Sequence, residues 1–180
     1  MACDLTSNVS LDCRENLGGI KTIFLASATG DDISLTFSGG STNTNGAVTG
    51  LSWGSNSITD FASLTGATYE FQQPRQSASL TETGNFSEEN GTAFYQSVLT
   101  MVINKLDYTK LNALDVLGRN TRLVCIVQTN NDNYFLVGNE TGAIVTSSTA
   151  ESGTAFGDRN GLSVELTGFS KSPAYELVFS

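Results

Sequence analysis

Residues 92–145 read TAFYQSVLTMVINKL, DYTKLNALDVLG, RNTRLVCIVQ, TNNDN and YFLVGNETGAIV, and this stretch decides the fold. In its first piece Phe94, Val98, Met101 and Val102 recur at helical spacing. Against that, Thr92, Val98, Thr100, Val102 and Ile103 are β-branched and stiff at χ1, which favours a strand. Apolar groups also stand on both sides, with Tyr95, Leu99, Met101 and Ile103 opposing Phe94, Val98 and Val102. The pattern predicts a long central strand over 92–103, buried on both faces for part of its length, with helix as the alternative.

The next piece carries helix start and stop signals. Asp107 is a good N-cap, Leu106 and Leu111 hold the two positions of a hydrophobic staple, and Leu111, Leu114 and Leu117 with Tyr108 make one apolar face. Gly118 stands where a left-handed residue ends a helix. A short helix over 108–117 is expected, too short to persist alone and so dependent on a sheet beneath it. Residues 123–128 are continuously apolar, 129–133 form an Asn-rich turn and 134–138 return, which predicts a hairpin. Residues 143–147 would complete a three-stranded meander.

Working outward, 20–26 (IKTIFLA) and 33–37 read as strands paired across a turn, 68–73 and 77–83 as further strands, and 47–53 and 58–64 as weaker ones. Residues 162–167 and 174–179 supply the last two. Polar segments at 38–46, 85–91 and 148–161 read as loops, the last long enough to reach out of the body. Phe24, Phe37, Phe71, Phe94 and Phe135 mostly fall at inward-looking positions, and Trp53 reads as core in preference to a subunit-contact anchor. The expected fold is mainly β with one short flanking helix at about 108–117. One domain spans 1–180, with 1–19 as an irregular N-terminal arm.

Charge narrows the function. The 18 acidic and 9 basic residues give a net charge of −9, and the bases are scattered, so no patch suits counterion release from nucleic acid. An acidic surface instead repels phosphates and lets a duplex slide past. Histidine is absent, which removes the commonest general base and metal ligand. No phosphate-cradling loop, nucleophile elbow or metal-ligand cluster appears, so an enzyme, a cofactor and a metal are not expected. The acidic pairs Asp31-Asp32 and Glu88-Glu89 sit in turn-like segments as solvated charges, and the tip at 130–133 lacks the ligand spacing of a calcium loop. Sequons at Asn8, Asn85, Asn90 and Asn139 are chance matches in an Asn/Thr-rich chain. Asp158-Arg159 reads as an exposed ion pair or a subunit contact.

Cys125, within LVCIV, reads as a buried small hydrophobe. Cys3 and Cys13 bracket a nine-residue loop; they either close a disulfide in an oxidising exterior or remain two reduced thiols. The start, MACDLTSNVSLDC, lacks the pattern of a secretion signal, and no run approaches the ~18 apolar residues of a membrane span. A soluble protein made in a cytoplasm is expected.

The segments CDLTSNVSLDCRENLGGIKTIFLA, GTAFYQSVLTMVINKLDYTKLNAL, RLVCIVQTNNDNYFLVGNETGA and SGTAFGDRNGLSVELTGFSKSPA together resemble a group of small structural proteins of tailed bacteriophages, most similar to tail-tube-type proteins. The resemblance implies an antiparallel β-sandwich or barrel with one flanking helix, whose subunits assemble as rings, usually hexameric, stacked into a hollow tube in the virion tail. Adjacent sheets would line the channel, DNA would pass as cargo without specific binding, and other tail proteins would be partners. Residues 1–19, 38–46 and 148–161 would then be inter-subunit arms. A capsid decoration, head-fibre, neck or baseplate protein is the alternative within the class. A carbohydrate-binding β-sandwich module is the alternative outside it.

Overall fold

The computed structural model of the chain describes residues 16–27, 41–42, 48–51, 53–54, 57–58, 69–119, 122–138 and 141–179. In chain order the elements are β1 (Ile20–Ser27), β2 (Ser41–Thr42), β3 (Val48–Leu51), β4 (Trp53–Gly54), β5 (Ser57–Ile58), β6 (Tyr69–Gln72), β7 (Ser79–Ser87), β8 (Thr92–Asn104), α1 (Tyr108–Arg119), β9 (Leu123–Thr129), β10 (Tyr134–Val137), β11 (Ala143–Glu151), β12 (Gly161–Ser170) and β13 (Tyr175–Phe179). The protein is mainly β, with a single short helix among the described residues. The Cys3–Cys13 pair, the Asp31-Asp32 turn, the strand expected at 33–37 and the side chain of Trp53 lie outside what is described.

The apolar run LVCIV forms β9, and β9 organises the sheet. Its residues 123–127 are all buried, as a strand covered on both faces requires. One edge of β9 pairs antiparallel with β1, from Ile20↔Thr129 to Ser27↔Leu123, and β1 in turn pairs with β6. The other edge pairs with β10, which leads to β13, β3 and β2; β13 and β3 run parallel and the rest of the sheet is antiparallel. These seven strands make the first half of the sheet. The second half has four, in the order β11-β12-β8-β7.

One register pair, Ala143↔Leu123, joins the halves. The chain makes this connection at Gly138, whose φ is +84°; a Cβ there would lie 2.7 Å from both the Leu123 carbonyl oxygen and the Ala143 nitrogen. Only a glycine combines that φ with that clearance. Gly142, at φ +81°, completes the turn. The expected meander therefore does not form: β10 gives its far edge to β13, and β11 returns to the end of β9 and continues to β12.

The halves close over a shared core, in which Ile23, Leu25, Cys125 and Val127 from the first meet Leu99, Met101, Val164 and Leu166 from the second. This supports the sandwich expectation and removes the barrel alternative. Among the described residues the sheet path ends at β2 and β7, which do not pair with each other. On the opposite face of the first half, Ile126, Leu136 and Leu177 are also fully buried. Beyond the start of β7, the Gln73 side-chain oxygen accepts a hydrogen bond from Val102 N at 2.9 Å and ties the β6 loop to β8.

The strand expected at 92–103 is β8, with Leu99 and Met101 buried on one face and Val102 on the other. The helix starts as expected: Asp107 Oδ1 accepts from Lys110 N at 2.9 Å. It ends later, at Arg119, so Gly118 sits within the last turn. Its expected apolar face is only partly used. Leu117 packs on the core, whereas Tyr108 is 84% exposed and Leu111 39% exposed.

Two segments expected as loops are strands. Residues 85–87 extend β7, and 148–151 extend β11, because ladder bonds to β8 and β12 satisfy backbones whose side chains carry no strand signal. The turn at 88–91 remains, with Glu88 and Glu89 exposed.

Candidate functional site

The second half of the sheet combines open edges with a distinctive composition; among the described residues β2 and β6 of the first half also each have an edge with no strand paired to it. β7 uses one edge for β8, and β11 uses one for β12; among the described residues no strand pairs with the outer edge of β7 or with that of β11 beyond Ala143. Such edges present a row of unpaired N–H and C=O groups that another chain can extend. Helix α1 passes beside β11 near Ser148.

Register fixes which side chains face away from the core. Opposite the Leu99–Met101 face lie Thr81 and Thr83 from β7, Gln96 and Thr100 from β8, Glu165 and Thr167 from β12, and Thr149 from β11. At the β11 bulge between Val145 and Ser147, Thr146 Oγ1 donates to Glu165 Oε1 at 3.2 Å and lies 3.2 Å from Thr167 Oγ1, which fixes this surface laterally. The four strands contain Glu82, Glu151 and Glu165 and neither Lys nor Arg. Glu82 is held elsewhere, its carboxylate accepting from Ala174 N at 3.0 Å, which ties β7 to the start of β13. Val98, Val102 and Ile144 share this face with the hydroxyls, amides and carboxylates, and Val102 and Thr167 are buried in it; neither Lys nor Arg stands on it, so it offers a polyanion no cation to grip.

Aromatics interrupt this polar face at one corner. Phe94 is 39% exposed and Phe169 is 44% exposed, their ring centroids 6.2 Å apart. The inward placement expected for Phe94 is thus overturned, since it shares a face with Val98 and not with Leu99. Phe24, Phe71 and Phe135 are half-buried, and Phe37 lies outside the described residues.

The β11–β12 hairpin ends in a built turn at 152–160. Asp158 Oδ2 accepts from Thr154 N at 2.9 Å and from Ala155 N at 2.7 Å, while Asp158 N donates to Ala155 O at 3.1 Å. These two amide donors hold the Asp158 carboxyl below its ordinary pKa. The expected Asp158-Arg159 pairing does not occur; Arg159 instead bridges to Glu151 at 3.1 Å across the base of the tip. Phe156, at the apex, is fully exposed at 115% of its reference area.

Among the described residues no three of His, Cys, Asp and Glu come together in a metal-binding group. Cys125 is a free thiol sealed in the core, and burial pushes its pKa up to about 12. The tip at 130–133 closes through Thr129 N donating to Asn133 O at 2.9 Å, and Asp132 pairs with Lys21 at 3.0 Å. Its acidic group thus serves the turn and β1. No helix among the described residues is long and apolar enough to cross a membrane.

Sequence patterns did not point to Phe156, to the Glu82 tie or to the edge of β11. A Gly153-to-Asp158 spacing around an uncharged apex is the one local signal that a structured tip was present. No family profile, curated protein or solved structure matches the chain.

Proposed function

We propose that this protein is a structural subunit that assembles with copies of itself into stacked rings, hexameric by resemblance, as in the tail tube of a tailed bacteriophage. Its place is the virion tail, after synthesis in the bacterial host cytoplasm, and DNA passes through the assembly without being bound. The observation that carries the proposal is the four-stranded half-sheet. It has two open edges, one buried face and one hydroxyl-rich face without cations, as a subunit lining a channel for a polyanion needs. Edge β7 of one copy meeting edge β11 of the next gives a head-to-tail contact, which closes into a ring when the rotation between copies closes and otherwise runs on as a filament.

Electron microscopy of the purified chain tests this. Tubes or stacked six-fold rings are expected, and a monodisperse monomer at all concentrations overturns it. The exposed Phe94–Phe169 pair favours one second reading, a glycan-binding module, since exposed aromatics on an open sheet face can present apolar ring faces to sugars. A monomer that binds glycans and loses binding in Phe169→Ala would establish that alternative.

A further inference from the structure

We propose that Phe156 of one copy seats in an apolar crevice of a second copy, between α1 and the β1–β6 edge, as a knob in a hole. The contact rests on the self-assembly part of the proposed function and names its residues. The crevice has a volume of about 230 Å3. Leu25, Tyr69, Phe71, Val116, Leu117 and Leu123 line it, and none of its described lining residues is charged. A cavity of about 150 Å3 is enough to take up benzene elsewhere, so a phenyl ring fits with room for its approach. The hole exists because α1 seats Leu117 on the core but leaves Val116 and Tyr69 exposed at the rim.

The knob is equally specific. Phe156 stands between Ala155 and Gly157, on a turn already ordered by Asp158 and braced by the Arg159–Glu151 bridge, so little freedom is lost when it docks. Its immediate flanks are uncharged, as is the hole. For copies that each carry a net charge of −9, contact through uncharged surfaces avoids the repulsion that most of the surface would meet. Knob and hole are different places on one chain, so the contact is head-to-tail and repeats from copy to copy.

The test uses the full chain and follows assembly by sedimentation and native mass spectrometry for the wild type, Phe156→Ala, Val116→Trp and an equimolar mixture of the two variants. Phe156→Ala removes the knob and Val116→Trp fills the hole. Each is expected to raise the concentration needed for assembly by roughly thirtyfold or more, the loss typical of a buried aromatic anchor. The mixture is expected to form mixed complexes, because one variant keeps the hole and the other the knob. Phe156→Leu should restore part of the assembly. Phe156→Ala assembling at the wild-type concentration overturns the contact and leaves self-assembly standing. A mixture without mixed complexes, while the wild type assembles, does the same. A wild type that stays monomeric throughout overturns both. If Val116→Trp loses its fold by circular dichroism, Ala113→Phe, at another exposed position in the same crevice, takes its place.

Discussion

The two halves of the sheet are built from the same kind of ladder and hide very different amounts of themselves. In the first, β9 lies between β1 and β10, and its side chains are covered on both faces. In the second, β7 and β11 stand at the edges, and residues 146–151 of β11 are exposed on both faces even while paired with β12. A strand buried on both sides is fixed by its own molecule. A strand with an open edge and an open face has bonding capacity left for another molecule. The first half holds the strand buried on both faces, and the second leaves strand edges and a sheet face uncovered among the described residues.

The largest effect that sharpens this contrast is in packing. Leu136→Ala, at a fully buried position of β10, should cost about 2–5 kcal/mol in urea unfolding, whereas Thr81→Ala on the open face of β7 should change stability by no more than about 0.5 kcal/mol. Similar losses at both sites would erase the distinction.

A smaller effect is expected where the halves meet. Gly138→Ala places a Cβ against Leu123 O and Ala143 N at a left-handed φ, and should lower stability by about 1–3 kcal/mol. Gly157→Ala, with no atom within 4 Å of the added Cβ, is the matched control and should be near neutral in the same thermal melts.

The smallest effect is local and depends on pH. The folded pKa of Asp158 is depressed by the Ala155 and Thr154 amides, so the order it gives the tip is present above the ordinary value of 3.8 and is lost as pH falls through the lower folded value. The amide proton shifts of Thr154 and Ala155 should titrate together with a midpoint below 3.8. A midpoint at or above 3.8 would mean that the carboxylate does not hold the turn.

The parts of this fold that could be read from sequence are those in which a pattern is local. Apolar residues on both sides of 92–103, the Asp107 cap and the run LVCIV each point to one element, and β8, α1 and β9 formed there. Partner choice could not be read in the same way. Whether 143 returns beside β10 or at the end of β9 depends on two positive-φ glycines and on which edge β13 has taken, and β13 lies more than thirty residues further along. Residues 148–151 (STAE, with Ser147 before them) look like loop because Ala and Glu are depleted in strands and Thr149 stands alone as a strand former, and only pairing with β12 makes them strand. For the candidate site, the scatter of the 9 basic residues was plain in the sequence. That none of them falls in four adjacent strands became visible only once the strands were ordered in space. The exposure of Phe156 and the bonding of Asp158 to backbone in place of Arg159 are tertiary facts that no spacing encodes.

The pairing of β1 with β9 also has a consequence in time. Phe24 waits for Ile126, about a hundred residues later in the chain. At translation speeds of roughly 5–20 residues per second, β1 leaves the ribosome on the order of 5–20 s before its partner. The β7–β8 hairpin meets no such delay, because its strands are joined by a four-residue turn. Local contacts form first when loop closure is cheap. The β7–β8 hairpin is therefore expected to take shape while the edge of IKTIFLAS that β9 will cover is still open, and that edge has to be kept from other chains until β9 arrives.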